Sequence, residues 1–261
     1  MRVAVIADTH CGNRSGLTPP GWQYEVGSGD REREGWAAWQ RALWKAYADI
    51  CKDIQPVHLL IANGDLCDGR GRKSGGIEEI DADRRLQTEM AARCLRQMQA
   101  KRTIIVSGTP YHSADDGEDW DAMVAERLKR TTAVGTEQYI DIKGVVLHVK
   151  HHAPSSVIPH GQFTGPAREA VWTELRALRR GYPRAQIIVR SHVHYGADAG
   201  NRWWRVLLTP CLQGETLYPR KLSLRDIDLG LVVIDIARRG SWEIRYEWID
   251  IPQAQPRVLE L

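Results

Sequence analysis

The sequence predicts an α/β protein in which a central mixed β-sheet, or a pair of sheets, is flanked by helices. Three observations carry this. Short apolar runs rich in β-branched residues recur along the 261 residues, each ending in a polar turn. Stretches with apolar residues at helical spacing lie between many of them. Within the runs, hydrophobicity is continuous rather than alternating, which marks strands buried on both faces of a layered architecture.

Taken in order, RVAVIAD (2–8) opens the chain as a strand. A Gly- and Pro-rich stretch over 11–30 leads to REGWAAWQRALWKAYADICKDI (33–54), where Trp36, Trp39, Leu43, Tyr47 and Ile50 recur at helical spacing. VHLLIANGD (57–65) is the second strand, and a second irregular stretch, rich in Gly and charge, covers 67–84. DADRRLQTEMAARCLRQMQA (81–100) reads as a helix and RTIIVSG (102–108) as the third strand. GVVLHVKHH (144–152), the helix PAREAVWTELRALRRGY (166–182) and QIIVRSH (186–192) continue the pattern. Strands at 204–210, 229–236 and 242–250 then follow one another without a helix, which predicts antiparallel or mixed pairing there. No repeat, low-complexity tract or linker divides the chain, so one domain over 1–261 is expected.

Composition sets limits on function. The apolar share of 43% supports a sizeable core, and a net charge of +3 does not by itself call for nucleic acid. Aromatic usage is lopsided, with ten Trp and one Phe. The five cysteines, Cys11, Cys51, Cys67, Cys94 and Cys211, are scattered and form no Cys-x-x-Cys pair, which disfavours a disulfide framework and fits a reducing compartment. The chain begins directly in a strand, and no apolar run approaches the roughly 20 residues that span a bilayer. A cytoplasmic protein with no membrane partner is expected.

Chemistry-bearing residues gather at strand ends. The first strand finishes in Asp8-Thr9-His10 and the second in Gly64-Asp65. The third runs into a loop that holds His112, the fourth into His151-His152, and the fifth into Ser191-His192-Val193-His194. Each alone could cap a turn or pack as an ordinary polar residue. Together they predict convergence on one sheet edge, where open α/β sheets place their ligands. Aspartate oxygens mixed with imidazole nitrogens suit divalent transition metals such as Mn, Fe, Zn or Ni rather than Ca or Mg. No thiolate cluster competes for a closed structural zinc site.

In this order, Asp-x-His, Gly-Asp, a His-bearing loop, His, and x-His-x-His resemble the motifs of the calcineurin-like metallophosphoesterases. The resemblance spans Asp8 to His194, and the DTHCG and GTPYH segments look most like bacteriophage and prophage members. It implies a four-layer α/β/β/α sandwich. It also implies a dinuclear phosphoester hydrolase, with attack by a metal-activated hydroxide and Mn favoured as the ion. Carried over by motif, Asp8, His10 and His194 would bind one ion, Asp65 would bridge, and His192 with either His151 or His152 would bind the second. Asp68 would orient a ligand histidine, or else shape the turn before Gly69.

The loop Ser107–His112 departs from the family pattern. Where Gly-Asn-His is usual, this chain has Gly108-Thr109-Pro110-Tyr111-His112. Three readings stay open: Thr109 supplies a neutral oxygen ligand, His112 becomes a nitrogen ligand, or His112 acts as an acid toward the leaving group.

For substrate, Arg14, Arg70, Arg72 and Lys73 flank the motifs and could hold further phosphates, or form solvated loops. Trp203 and Trp204, beside Arg202 and Arg205, could stack on bases or pack in a strand. RLKR (127–130) and RALRR (176–180) read as solvent-facing helix sides. The favoured activity is phosphodiester hydrolysis of nucleotides or nucleic-acid ends. The alternatives are a phosphomonoesterase or protein phosphatase, and a non-catalytic scaffold on the same fold. The GTPYH loop lacks the arginine that protein phosphatases of this superfamily carry there, which lowers the phosphatase reading.

Overall fold

The computed structural model describes residues 1–71, 74–115, 118–154, 156, 158–216, 227–237 and 240–251. The first part of the chain gives β1 (Arg2–Ile6), α1 (Arg31–Asp53), β2 (Leu59–Asn63), α2 (Arg84–Gln97) and β3 (Thr103–Val106). Then come α3 (Pro110–Ser113), the two-residue strands β4 (Ala114–Asp115) and β5 (Glu118–Asp119), α4 (Trp120–Glu126), β6 (Thr131–Gly135) and β7 (Glu137–Ile142). The remainder is β8 (Val145–Lys150), α5 (Thr164–Arg180), β9 (Ile187–Arg190), β10 (Ala197–Gly200), β11 (Arg205–Leu208), β12 (Gly230–Ile236) and β13 (Trp242–Trp248).

Two mixed sheets result. The first has the order β13-β12-β1-β2-β3-β6 and the second β10-β11-β9-β8-β7. In the first, β1, β2, β3 and β6 are parallel, and β12 and β13 add antiparallel. In the second, β8, β9 and β11 are parallel, with β7 and β10 antiparallel at the edges.

Side chains alternate across each strand, and that alternation builds the layers. From β1 and β2, Val3, Val5, Leu59 and Ile61 face the second sheet, where they meet Leu147, Val149, Ile187 and Val189. Their neighbours Ala4, Ile6, Leu60 and Ala62 face outward onto α1, α2 and α4. On the far side of the second sheet, Ile188 and Val206 pack against Ala170 of α5. The stack is therefore helix, sheet, sheet, helix. Sixteen buried apolar residues fill the seam between the sheets. At roughly 1.5–3 kcal/mol for each buried aliphatic side chain, that seam far outweighs surface ion pairs worth about 0–1 kcal/mol.

Helices α1 and α2 begin where the sequence offers caps. Asp30 accepts from the N–H groups of Glu32 and Arg33, and Asp83 from those of Arg85 and Leu86. On α1 the buried stripe is Ala37, Gln40, Leu43, Tyr47 and Cys51. Leu43 and Tyr47 belong to the expected face, but Trp36, Trp39 and Ile50 lie only half-buried at its margins.

Two expectations need correction and a third needs refining. The five strands that carry polar termini do not share one sheet: β1, β2 and β3 lie in the first, and β8 and β9 in the second. The last three strands do pair in antiparallel and mixed fashion, but they are split between sheets: β11 runs parallel to β9 and antiparallel to β10 in the second, while β12 pairs antiparallel with β1 and β13 in the first. The RLKR segment follows α4 rather than lying on it. Among the described residues, no helix is long and apolar enough to cross a membrane. All five cysteines are buried and free.

Candidate metal centre

The parallel strands of both sheets bring their C-terminal ends together at one end of the seam, and hydrogen bonds lock the two sheets there. The Asn63 side chain, at the end of β2, donates to the Lys150 carbonyl (3.0 Å) and to Ser191 Oγ (2.6 Å). Ser191 Oγ in turn meets Thr209 Oγ1 at 2.7 Å, and the His192 N–H donates to Asp8 Oδ2 at 3.1 Å. The polar residues just beyond the strands thus face one another across the sheets.

Their backbone is unusual. Asp8, His10, Asp65, His192 and His194 all have positive φ, between 42° and 73°. They are five of the seven non-glycine residues with positive φ among those described. Side chains in this left-handed region cost about 1–2 kcal/mol each, and such strain concentrates where function demands a particular side-chain aim. Two glycines make the close approach feasible. A Cβ on Gly64 would lie 2.5 Å from His151 Nδ1, and one on Gly108 would lie 2.0 Å from Asp65 Oδ1.

Three groups offer ligand atoms within reach of a common ion: Asp8, His10 and His194; Asp65, His151 and His192; and His10, Asp65 and His112. In the first, Asp8 Oδ1 is buried without a hydrogen-bond partner. Imidazole nitrogens surround it, with His194 Nε2 at 3.3 Å, His151 Nε2 at 3.8 Å and His10 Nε2 at 3.9 Å. His10 Nε2 and His194 Nε2 face each other at 3.3 Å. A buried carboxylate oxygen left unpaired is costly, and opposed ring nitrogens around it are the donor set that a divalent transition metal takes. The residues fit the implied ions.

Neighbouring groups fix the tautomers. His10 Nδ1 lies 2.8 Å from Asp68 Oδ1, and His151 Nδ1 lies 2.6 Å from the Asn63 carbonyl oxygen, so each ring donates outward and turns Nε2 inward. His112 Nδ1 likewise meets the Asp68 carbonyl oxygen at 2.6 Å. Asp65 accepts from the Thr109 N–H at 2.7 Å and from Thr109 Oγ1 at 3.1 Å, and lies 3.0 Å from His151 Nε2. Burial alone would raise the Asp65 carboxyl, yet the charge and hydrogen bond of His151 hold it well below the usual range. Burial opposes protonation of His151, but Asp65 and Asp8 beside it push its pKa up to about 10 in the metal-free chain. Burial, with His10 beside it, lowers the His112 pKa and so favours the neutral ring.

Other residues separate by position. His151 is buried, whereas its neighbour His152 is exposed, belongs to none of the three groups, and stacks on the His192 ring at 5.1 Å. Successive residues leaving a strand point to opposite sides, which parts the pair. Asp68 is buried and braces His10 rather than joining the groups. The Arg14 guanidinium pairs with Glu32 at 2.8 Å and lies over the Trp36 ring, so it is committed to α1. Arg70 is exposed, and Arg72 and Lys73 lie outside the described residues. Trp203 is exposed in the turn between β10 and β11. That turn sits at the N-terminal end of β11, the end of the sheet opposite the histidines.

Sequence reasoning missed Asp121, on α4. Its carboxylate accepts from the Leu66 N–H (3.0 Å) and the Gly108 N–H (2.7 Å), joining the loops on either side of Asp65. Burial and the nearby Asp65 raise its pKa to about 7. The N-cap Asp119 with Trp120 and Val124 at i, i+4 spacing was the available signal for this helix. Gln87 was also missed: its side chain accepts from the Gly69 N–H at 2.9 Å and donates to the Gly69 carbonyl at 2.7 Å, tying down the turn after Asp68.

No family model matches the chain, and no curated protein matches it. Among solved structures it is similar to a point mutant of Vps29 from Entamoeba histolytica, at 14% identity over 96% of this chain and 100% of that one, with a TM-score of 0.48. It is similar to a protein described as a novel archaeal phosphodiesterase, at 11% identity over 94% and 99%, TM-score 0.43. A third is a predicted phosphoesterase from Streptococcus pneumoniae, at 10% identity over 94% and 97%, TM-score 0.36. At such identities and overlaps these likenesses assign no activity to the chain.

Proposed function

We propose that the protein is a phosphoester hydrolase dependent on two divalent transition-metal ions, and that it cleaves phosphodiesters of nucleotides or nucleic-acid ends. The observation that carries this is the orphaned Asp8 Oδ1 inside a ring of inward-facing imidazole nitrogens, with Asp65 and a second pair of histidines alongside. Asp8, His10 and His194 would hold one ion, His151 and His192 the other, and Asp65 would touch both. When bound, such ions supply Lewis acidity to a phosphoryl group and acidify water. The motif order shared with calcineurin-like metallophosphoesterases supports the same reading.

The chain's own residues supply the positioning. Thr109 donates two hydrogen bonds to Asp65 and fixes its carboxylate plane, which fits a role in orienting the bridge better than one as a ligand. His112, with its Nδ1 proton directed at the Asp68 carbonyl, presents a lone pair at Nε2 toward His10 and Asp65. A neutral ring so oriented suits a ligand better than an acid. Exposed His152 stands at the rim beside His192, where a substrate would enter.

The test is hydrolysis of bis-p-nitrophenyl phosphate and p-nitrophenyl phosphate by metal-stripped protein before and after adding Mn²⁺. Activity that returns with Mn²⁺ and prefers the diester is expected. A preference for the monoester would replace the diesterase reading with a phosphatase, and metal-bound protein inert toward both esters would overturn the proposal. For His112→Ala, a Mn²⁺ titration is expected to show binding weaker on the order of ten-fold. Unaltered Mn²⁺ binding with lowered turnover would move His112 to the leaving group.

A further inference from the structure

Of the eleven exposed large hydrophobic side chains among the described residues, six lie between residues 158 and 182. This stretch is α5 and the loop that leads into it from the metal centre. It includes the chain's single Phe, Phe163, which is 52% exposed, and Trp172, which is 49% exposed. Large apolar groups gathered on one surface call for a partner, where scattered ones do not.

Trp172 also lies in a basic groove. This shallow groove of ≈ 660 Å³ runs along Arg168, Trp172, Arg176, Arg179 and Arg180, with Glu169 and Leu175 also in its lining. The two acids of α5 are occupied from outside the helix: Glu169 pairs with Arg190 at 2.9 Å and Glu174 with Arg184 at 2.7 Å. Among the described residues, no carboxylate lies within ion-pair distance of the four groove arginines, and Arg176 Nη1 is buried without a hydrogen-bond partner. A sequence reading treats RALRR as a solvated face; the structure adds a row of arginines without carboxylate partners beside the exposed Trp172 ring.

Position supplies the third argument. β8 ends at Lys150, just before His151, and α5 carries the chain back to the start of β9, which runs parallel to β8. The first turn of α5 is therefore near the metal-centre end of the sheet, and the groove leads away from it. From Arg168 to Arg179 it extends roughly 16 Å at 1.5 Å per residue.

We propose that this face is a docking track for single-stranded nucleic acid, with the arginines on phosphates and Trp172 stacking on a base. The inference rests on the phosphodiesterase reading and gives it a substrate class: a strand whose end lies at the metal centre and whose body runs along α5. A second copy of the chain is a poor occupant, because symmetric pairing through α5 would set two arginine rows against each other.

The test uses the full chain and a fluorescein-labelled oligodeoxythymidylate of about 15 nucleotides, read by anisotropy over a range of salt. Wild type is expected to bind with salt-dependent affinity. In Arg168→Ala/Arg179→Ala, two lost phosphate contacts should reduce the slope of log K against log salt by about 1.4. Trp172→Ala should weaken binding by roughly five- to a hundred-fold. Hydrolysis of bis-p-nitrophenyl phosphate should be unchanged in both variants, since neither touches the metal centre. Arg93→Ala, an exposed arginine on α2, should leave binding as in wild type. Variants that bind like wild type, or no worse than Arg93→Ala, overturn the track while leaving the diesterase reading intact. A wild-type dimer that Trp172→Ala converts to monomer overturns it in favour of a self-interface. Loss of the diesterase reading would show separately, as no hydrolysis of the small diester.

Discussion

Asp65→Asn is expected to lower kcat/KM for bis-p-nitrophenyl phosphate on the order of 10³-fold, about 4 kcal/mol of barrier. Asp65 belongs to two of the three candidate ligand groups and is the carboxylate between them. The substitution keeps shape and removes charge. Its new NH₂ would face either the Thr109 N–H and hydroxyl or the His151 ring, all of which now direct toward a carboxylate oxygen. One face of the amide is then opposed donor to donor. The fold should survive, because the seam between the sheets is made elsewhere, and circular dichroism can check that. Mn²⁺ stoichiometry should fall together with activity. Retention of activity within ten-fold of wild type would remove Asp65 from the centre of the chemistry.

The second large effect is on pH and metal together. In the metal-free chain His151 is raised to about 10 by Asp65 and Asp8, against the opposing effect of burial. Its pKa in the unfolded chain is about 6.5. A group raised on folding stabilises fully below its unfolded pKa, and that contribution fades as pH climbs toward the folded value. Asp8 and Asp65 are held below their ordinary values by the same histidines despite burial, so their contribution is present above about pH 4 and is lost in acid. The metal-free protein should therefore be most stable between about pH 4 and pH 6.5, and its melting temperature should fall by roughly 5 °C toward pH 9. Mn²⁺ should reverse the trend, since binding requires a deprotonated His151, releases a proton and strengthens as pH rises. Calorimetry in buffers of different ionisation enthalpy would reveal that proton. A metal-free melting temperature that is flat or rises from about pH 6.5 to 9 would contradict the account.

Much of this arrangement is legible in the sequence because it depends on local pattern. Val3 to Ile6 and Leu59 to Ala62 are apolar on both faces, and only strands between two packed layers ask for that. The polar residues follow such runs immediately, so a strand end is also a site residue. What is not legible depends on pairing between distant segments. Whether β9 joins β1 or β8 is decided by which faces fill the seam, and no short window records it. The choice between His151 and His152 is a matter of chain phase at the end of β8, a single residue wide. Asp121 acts on backbone N–H groups 55 and 13 residues earlier, so its side chain carries no mark of the task. β10, whose sequence is Ala-Asp-Ala-Gly, has neither β-branching nor alternation to announce it.

The left-handed backbone at Asp8, His10, Asp65, His192 and His194 also governs how this protein can change over generations. At each position glycine would relieve the strain that a Cβ imposes there while deleting a candidate ligand. The shortest route to a more comfortable main chain is therefore also a route to silence. A lineage released from the need to hydrolyse its substrate would accumulate glycine at these five corners and keep the layered body intact. One that still depends on the reaction must hold side chains at all five against a steady conformational bias. The protein's susceptibility to becoming an inert copy of itself is written into its main-chain angles.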